Sequence, residues 1–258
     1  VSGRPEALDH PIVGGKFTCF VLCWGPHPEL ARRCVGGILD TAPPGSVDLR
    51  VACNECCPET LEYLRSVPVD RLYVYAENRR KYPVMRELFR DEMAPITTPY
   101  LVWFDDDSYP ATPDWVRRLS ECVVANHPHG GRMYGWKHIH DFGRYFAGGH
   151  RPDMWFRTAP WYRGKNFRTR ASDRPTPNGT VVEFATGGFW ALHTDTMREC
   201  DIPDSRLVHN GGDITSGEQI RQAGWKTVNF NQNKQVIVSS GANRRGYREN
   251  FPWADYRG

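Results

Sequence analysis

The chain has 258 residues and a mass of 29.6 kDa, and its proportions of hydrophobic (40%) and charged (24%) residues are those of an ordinary soluble globular protein. Its formal net charge of +3 argues neither for nor against an acidic partner, and no apolar stretch approaches the roughly 20 residues that a membrane-crossing helix needs. We therefore expect a protein without a transmembrane segment that folds as one large domain or two small ones.

Strands and helices alternate through the first 110 residues. Apolar runs predict the strands, and apolar residues at helical spacing predict the helices between them. In chain order the sequence predicts strand 17–23, helix 29–39, strand 48–53, helix 59–66, strand 71–76, helix 83–93 and strand 100–104. This alternation indicates a parallel sheet with right-handed crossovers, in which ligands bind beyond the carboxyl ends of the strands.

The second half of the chain has a different character. The sequence predicts helix 114–125, strands 132–136, 181–184 and 188–193, helix 217–223 and strand 226–230. Residues 138–180 are rich in arginine, aromatic residues, glycine and proline and have little periodicity, which is typical of a functional loop or lid. We expect a single α/β domain over residues 1–258, with a sheet-forming half followed by a loop-rich half and a basic C-terminal tail.

The eight cysteines give a weak indication of metal binding. Cys53 and Cys56 have the C-x-x-C spacing found in zinc and redox sites, but no second such pair completes a four-ligand site. Other cysteines fall inside apolar segments, where a free thiol behaves as a small hydrophobe. We therefore expect reduced, mostly structural thiols and a cytoplasmic protein.

Three consecutive aspartates, Asp105 to Asp107, directly follow the apolar run 100–104. Carboxylates this close repel one another, and a divalent cation held by oxygen ligands makes such a cluster favourable. The alternative is a solvated acidic turn, assisted by Ser108 and Pro110. Because the cluster falls at the sheet edge where α/β proteins bind ligands, the metal site is the favoured interpretation.

Two glycine-containing patches follow further along the chain. Residues 210–215 (Asn-Gly-Gly-Asp-Ile-Thr) lead into a helix, and Asp213 is either a helix cap, the commoner role, or a preorganised general base. Residues 185–192 (Ala-Thr-Gly-Gly-Phe-Trp-Ala-Leu) place a predicted Gly-Gly turn before an aromatic strand. Trp190 would then stack on a sugar or a base, and the alternative is a hairpin turn with core aromatic residues.

The aspartate cluster and the two glycine-containing patches occur in an order that resembles a known enzyme family. With an acidic strand end, then Gly-Gly-Phe-Trp, then Gly-Gly-Asp before Arg-x-Ala-Gly-Trp, the chain resembles nucleotide-sugar glycosyltransferases of the GT-A fold, particularly the inverting family 2 type. The resemblance covers residues 17–230 and implies a Rossmann-like, mostly parallel central sheet flanked by helices. It also implies a nucleotide-sugar-binding half, 1–110, and an acceptor-binding half, 111–258, that contains loop 138–180.

The same resemblance implies roles for single residues. Asp105-x-Asp107 is similar to the family's DxD motif, which implies that both carboxylates hold Mn²⁺ or Mg²⁺ against the donor diphosphate, with Asp106 near the ribose. Asp213 falls at the position of the catalytic base. The other expected contacts are Trp24 and Asn54 with the nucleotide, Arg79, Arg80 and Lys81 with the phosphates, Gly187, Gly188, Phe189 and Trp190 with the acceptor, and His209 or His193 as a further metal ligand.

The chain departs from the family pattern at three places. The first strand is followed by Cys-Trp-Gly-Pro (23–26) where Thr/Ser-x-Asn-Arg is usual, and the second ends in Cys-Asn-Glu-Cys (53–56) instead of Asp-Asp-x-Ser. Gly212 stands where the family has an acidic residue, so Asp213 is the single carboxylate of that pair.

The expected activity is therefore transfer of a sugar from a nucleoside-diphosphate sugar to an acceptor hydroxyl, with inversion if Asp213 acts in line and opposite the diphosphate. Basic and aromatic residues in loop 138–180 and in the tail 243–248 suit DNA with an extruded hydroxymethylated base, and equally an anionic glycan or a lipid-linked diphosphate.

Two other classes of protein stay open. A nucleotidyltransferase also uses strand-end aspartates with two metal ions, but its Gly-rich phosphate loop is replaced here by Trp-Gly-Pro-His (24–27). The second alternative is a catalytically inactive GT-A-like module that binds nucleic acid or glycan.

Overall fold

The structure is a computed structural model that describes residues 16–141, 158–165, 168–169, 180–208, 211–232 and 235–239. In chain order its elements are β1 (Phe17–Gly25), α1 (Pro28–Thr41), β2 (Val47–Cys56), α2 (Pro58–Ser66), β3 (Arg71–Tyr75), α3 (Lys81–Phe89), β4 (Tyr100–Asp105), β5 (Ser108–Pro110), α4 (Trp115–Asn126), a 3-10 turn (His127–His129), β6 (Gly131–Asp141), β7 (Arg168–Thr169), β8 (Thr180–His193), α5 (Thr194–Glu199), α6 (Gly212–Gln222), β9 (Lys226–Asn229) and β10 (Ile237–Ser239).

Eight strands form one sheet in the order β3-β2-β1-β4-β8-β6-β9, with β7 paired to β8. Strands β1 to β4 are mutually parallel, β8 runs antiparallel to β4, β6 and β7, and β9 is parallel to β6. A separate antiparallel pair joins β5 to β10. The predicted α/β fold with a mostly parallel central sheet is confirmed.

Side chains of the central strands alternate between two apolar layers. On β4, Val102 and Phe104 enter the cluster that also contains buried side chains of α1, α2 and α4, whereas Leu101 and Trp103 enter the cluster with α3, α5 and α6. Both faces of the sheet are thus covered by helices, which explains why β1 and β4 are apolar at almost every position. None of the helices in the described part of the chain has both the length and the apolar character needed to cross a membrane.

Several predicted boundaries differ from the structure. α3 begins at Lys81, before the predicted position 83, and α6 begins at Gly212, before the predicted position 217. β6 extends to Asp141, and β8 is one unbroken strand through Gly187 and Gly188 where a turn was predicted. A Cβ atom at position 188 would lie 2.5 Å from Ser239 Oγ and 2.6 Å from Ser108 Oγ, so close packing against the β5–β10 pair accounts for this glycine.

Gly217 lets α6 pack directly on β8. A Cβ atom at this position would lie 2.3 Å from the Glu183 carbonyl oxygen, which is main chain and must move. We expect Gly217→Ala to lower the free energy of unfolding by about 1–3 kcal/mol, measured by urea denaturation. The control is Gly36→Ala in α1, where the added Cβ meets only the Tyr63 hydroxyl, at 3.2 Å. Equal midpoints for the two variants would contradict close packing of α6 on β8.

Candidate functional site

The carboxyl ends of four parallel strands meet at one edge of the sheet. Trp24 on β1 is in register with Asn54 on β2, and Asn54 with Tyr75 on β3. Leu22 on β1 is in register with Asp105, the last residue of β4. The structure therefore brings the aspartates, Trp24 and Asn54 to the same edge of the sheet, as expected for the carboxyl ends of parallel strands.

Asp105 is paired with a partly buried cation. Its Oδ2 accepts a hydrogen bond of 2.8 Å from Lys81 Nζ, and its Oδ1 accepts one of 2.9 Å from Trp103 Nε1. The Lys81 and Asp105 side chains are only 13% and 19% exposed, so water screens this ion pair less than it screens a surface pair. Lys81 Nζ also donates to the Gly187 carbonyl oxygen at 3.0 Å, and so connects α3 with β4 and β8.

The three aspartates have different surroundings. Asp106 is buried, and its Oδ2 accepts a hydrogen bond of 3.1 Å from the Trp24 backbone N–H, which holds the end of β1 against the end of β4. Asp107 is partly exposed, and its Oδ1 lies 3.5 Å from Ser108 Oγ. Asp106 therefore has a structural contact that the sequence analysis did not foresee, and Asp107 lies closer to solvent.

Asn54 holds the loop that leads into α3. Its Oδ1 accepts a hydrogen bond of 2.9 Å from the Arg79 backbone N–H, and its Nδ2 lies 3.2 Å from Asn78 Oδ1. Asn78 Oδ1 also accepts from the Arg80 backbone N–H at 2.9 Å. Arg80 has a φ of +70°, an uncommon conformation for a residue with a side chain, and these contacts stabilise it. The buried Asn54 side chain thus holds the loop that ends at Lys81, and its predicted contact with the nucleotide stays a prediction.

Asp213 reaches the same place from the first turn of α6. The Gly187 backbone N–H and the Tyr82 hydroxyl both donate to its carboxylate, and Tyr82 Oη lies 3.3 Å from Oδ1. A Cβ atom at position 187 would lie 2.5 Å from Asp213 Oδ2, so this approach requires a glycine. Gly211 is the N-cap of α6, so Asp213 is not the cap residue.

Burial raises the pKa of Asp213 above its usual range. Asp105 raises this pKa further, while Lys81 and the hydrogen bonds from Tyr82 and Gly187 lower it without cancelling the effect of burial. A carboxylate whose pKa is moved towards neutrality is suited to accept a proton. The site thus combines a cation, the partly exposed carboxylate of Asp107 and a candidate base.

Several expected contacts lie elsewhere. Phe189 and Trp190 are core residues, each 2% exposed, and Trp190 stacks on Trp103 with ring centroids 6.2 Å apart. This burial contradicts the predicted stacking of Trp190 on an acceptor. His193 is paired with Tyr100 at the start of β4, and therefore lies at the sheet edge opposite the aspartates. His209, most of loop 138–180 and the basic tail lie outside the described residues.

Tyr82 is the site residue that the sequence analysis missed. The predicted helix began at position 83, which left Tyr82 in a loop with no face assigned to it. The sequence held one indication of such a neighbour: the residue before the candidate base is Gly212, which has no side chain and leaves space beside Asp213.

The carboxylates of Asp105 and Asp107 suit a metal ion that takes few ligands from the protein, such as Mg²⁺. Within the described residues, no group of three or more His, Cys, Asp or Glu side chains is arranged to hold a metal ion, and this includes the region of Cys53 and Cys56. Mg²⁺ and similar ions are often bound by only one or two protein carboxylates, with substrate phosphates and water as the other ligands. Asp107 and Asp105 fit that kind of site, although Asp105 is also paired with Lys81.

No protein-family model and no curated protein matches this chain. Among solved structures it is similar to the mannosyltransferase PcManGT from Pyrobaculum calidifontis in complex with GDP-Man and Mn²⁺, with a TM-score of 0.53 and 14% identity over 83% of this chain and 54% of that one. It is also similar to S. aureus TarS, with a TM-score of 0.53 and 10% identity over 86% of this chain and 36% of that one. The fold is that of GT-A glycosyltransferases. This GT-A-like chain spans about half or less of the length of these two proteins.

Proposed function

We propose that this GT-A-like chain transfers a sugar from a nucleoside-diphosphate sugar to an acceptor hydroxyl in a metal-dependent reaction. One observation carries the proposal: Lys81 joins Asp105 to Gly187, and Gly187 in turn contacts Asp213. A cation and a candidate base thereby lie on either side of one backbone residue at the ligand-binding edge of the sheet.

Sugar transfer requires stabilisation of the negative charge that develops on the leaving diphosphate. The Lys81 ammonium group, at the first residue of α3, is held at this edge and is suited to bind a phosphate oxygen, with Arg80 directly before it in the chain. Asp107 and Asp105 would hold Mn²⁺ or Mg²⁺, and the ion when bound would act as a Lewis acid towards the diphosphate. We assign Trp24, partly exposed at the end of β1, to the nucleotide, and Asp106 to holding β1 in place for it.

The reaction also requires removal of a proton from the acceptor. The acceptor oxygen attacks the anomeric carbon while the bond from that carbon to the diphosphate oxygen breaks, and the bonding electron pair leaves with the diphosphate. Asp213 takes the hydroxyl proton. Attack from the side opposite the diphosphate inverts the anomeric configuration, so we propose an inverting enzyme.

We propose that residues 1–110 bind the donor and residues 111–258 bind the acceptor. Gly187 and Gly188 line the boundary between these halves, since Gly187 contacts Lys81 from one half and Asp213 from the other. The acceptor, a hydroxymethylated DNA base or a glycan in the sequence analysis, stays a prediction because the arginine-rich residues that suggested it lie mostly outside the described ranges.

Release of nucleoside diphosphate from a panel of nucleoside-diphosphate sugars with Mn²⁺ tests the proposed function. GDP-mannose is the first donor to try, since PcManGT was solved with it. We expect metal-dependent release, because transferases commonly pass sugar slowly to water. In Asp107→Asn we expect donor affinity to lose its dependence on Mn²⁺, because a neutral amide is a much poorer ligand for a hard cation.

Asp114→Asn is the matched control for Asp107→Asn. Asp114 is the next aspartate along the chain, and it pairs with Arg117 and Arg118 on its own helix. The control should keep the Mn²⁺ dependence of the wild type. If Asp107→Asn also keeps it, then Asp107 does not hold the metal; if no donor in the panel binds or is cleaved, the proposed activity is wrong.

A further inference from the structure

The Tyr82 ring occupies the space next to Gly212. A Cβ atom at position 212 would lie 2.0 Å from Tyr82 Cζ and 2.4 Å from its hydroxyl oxygen, closer than any real contact. Tyr82 is 5% exposed and belongs to the apolar cluster beneath α3 and α6. Its backbone N–H donates to the Val208 carbonyl oxygen at 3.2 Å, which ties the start of α3 to the segment before α6.

The Tyr82 hydroxyl is a hydrogen-bond donor in this setting. Burial raises its pKa well above the usual range, and the nearby Asp213 and Asp105 carboxylates raise it further, so the phenol keeps its proton. It donates that proton to Asp213 Oδ1 over 3.3 Å. A donor to a carboxylate stabilises the ionised form and also restricts the rotation of the group.

Within the part of the chain that the structure describes, the Tyr82 hydroxyl and the Gly187 backbone N–H are the hydrogen-bond donors to the Asp213 carboxylate. Asp213 is the only acidic residue in the first turn of α6, and no side chain projects from Gly212 beside it. The groups that act on its charge are Lys81 and Tyr82 from α3, Asp105 from β4 and the Gly187 backbone N–H from β8. Of these, Tyr82 is the uncharged side chain that touches the carboxylate directly.

We propose that Tyr82 is a positioning residue for Asp213: its ring fills the volume that a side chain at position 212 would take, and its hydroxyl orients the Asp213 carboxylate and favours its ionised form. The catalytic consequence of this inference rests on the proposed function. The physical contact between the two residues does not, and it can be tested on the protein without any substrate.

The first experiment follows the titration of Asp213 by NMR in protein labelled with ¹³C-aspartate, with the signal assigned from its loss in Asp213→Asn. In Tyr82→Phe the ring and its packing on Gly212 stay, while the hydrogen bond to the carboxylate is lost. We expect an upward shift of the Asp213 titration midpoint relative to the wild type, because the ionised form loses a donor. An unchanged midpoint would overturn the inference.

The second experiment measures turnover with GDP-mannose and Mn²⁺, or with the donor that the panel identifies. Tyr82→Phe is expected to lower kcat about tenfold with little change in donor KM, and to move the acidic limb of the pH–rate profile upward with the NMR midpoint. A wild-type kcat together with an unshifted profile would remove the positioning role. A shifted midpoint in a protein with no transfer activity would keep the contact and reject the proposed function.

A double-mutant cycle tests the packing and does not depend on the Phe variant. Gly212→Ala alone should unfold at a clearly lower urea concentration than the wild type, because its Cβ meets the Tyr82 ring. In the Tyr82→Ala background the same change should lower the free energy of unfolding much less. The effects of the two substitutions are then non-additive, which shows that positions 82 and 212 interact. Equal losses in both backgrounds would show that the ring does not occupy this space and would overturn the inference.

Discussion

Replacing Asp213 with asparagine is expected to abolish sugar transfer while leaving donor binding intact. Asparagine keeps the size of the side chain and an oxygen that can accept hydrogen bonds from Tyr82 and the Gly187 N–H, but it cannot take up the acceptor proton. Loss of a positioned general base typically lowers the rate about 10²- to 10⁴-fold. Single-turnover transfer and donor binding by calorimetry would measure the two effects separately.

The pH dependence of the Asp213→Asn effect has a defined sign. The folded protein raises the pKa of Asp213, chiefly by burial, so the ionised form opposes folding. The favourable contribution of this group to stability is present in acid and is lost as the pH rises through the raised pKa. We therefore expect Asp213→Asn to be more stable than the wild type at neutral pH, and this advantage to disappear in acid. Wild-type transfer should decline as acid protonates the base.

Asp195→Asn is the matched control for Asp213→Asn. Asp195 also lies in the first turn of a helix, α5, but it is 75% exposed and pairs only with Arg198 among the ion pairs of the described residues. It should retain wild-type transfer at every pH. If Asp213→Asn turned over normally, Asp213 would not be the base, and the proton would have to leave by another group.

Lys81→Met is expected to weaken donor binding about 100-fold, as is common when one partner of a buried, hydrogen-bonded charge pair is removed. The change removes a cation that is placed for the diphosphate. It also removes the 2.8 Å ion pair between Lys81 and Asp105. Isothermal titration with GDP-mannose and Mn²⁺, or with the donor identified in the panel, measures the loss.

Lys226→Met is the control for Lys81→Met. Lys226 is an exposed lysine at the start of β9. β9 is one of the two outermost strands of the sheet, and β3 is the other. Its replacement should leave donor affinity unchanged at low and at high salt. Equal affinity in the Lys81 variant and the wild type would exclude Lys81 from the donor site.

The sequence was sufficient to predict the architecture because local patterns determine it. Alternating apolar strands and amphipathic helices indicated the parallel sheet, and the charge of Asp105 at a strand end indicated the edge where candidate site residues meet. The same patterns could not distinguish a turn from a strand at Gly187. Glycine permits both, and the close neighbours of this part of β8, Asp213 at Gly187 and Ser239 at Gly188, lie far along the chain.

Roles that depend on packing were the least predictable. Trp190 was expected at the acceptor because tryptophan often stacks on sugars, but its position on β8 points it towards Trp103 in the core. The predicted contact of Asn54 with the nucleotide stays a prediction, but its Oδ1 also accepts a hydrogen bond from the Arg79 backbone N–H, 25 residues further along the chain. Neither contact can be predicted from the local sequence, because each is made with a residue from a distant segment of the chain.

The backbone of Gly187 has a consequence for how this chain can tolerate mutation. Its carbonyl accepts from Lys81 and its amide donates to Asp213, so the donor side and the base are joined by main-chain atoms of one residue. Every residue type except proline, which lacks the N–H, has the same main-chain hydrogen-bonding groups. Other side chains on β8 can therefore change during evolution without loss of the hydrogen bonds that Gly187 makes with Lys81 and Asp213. The conditions are that the strand keeps its register and that position 187 remains a glycine.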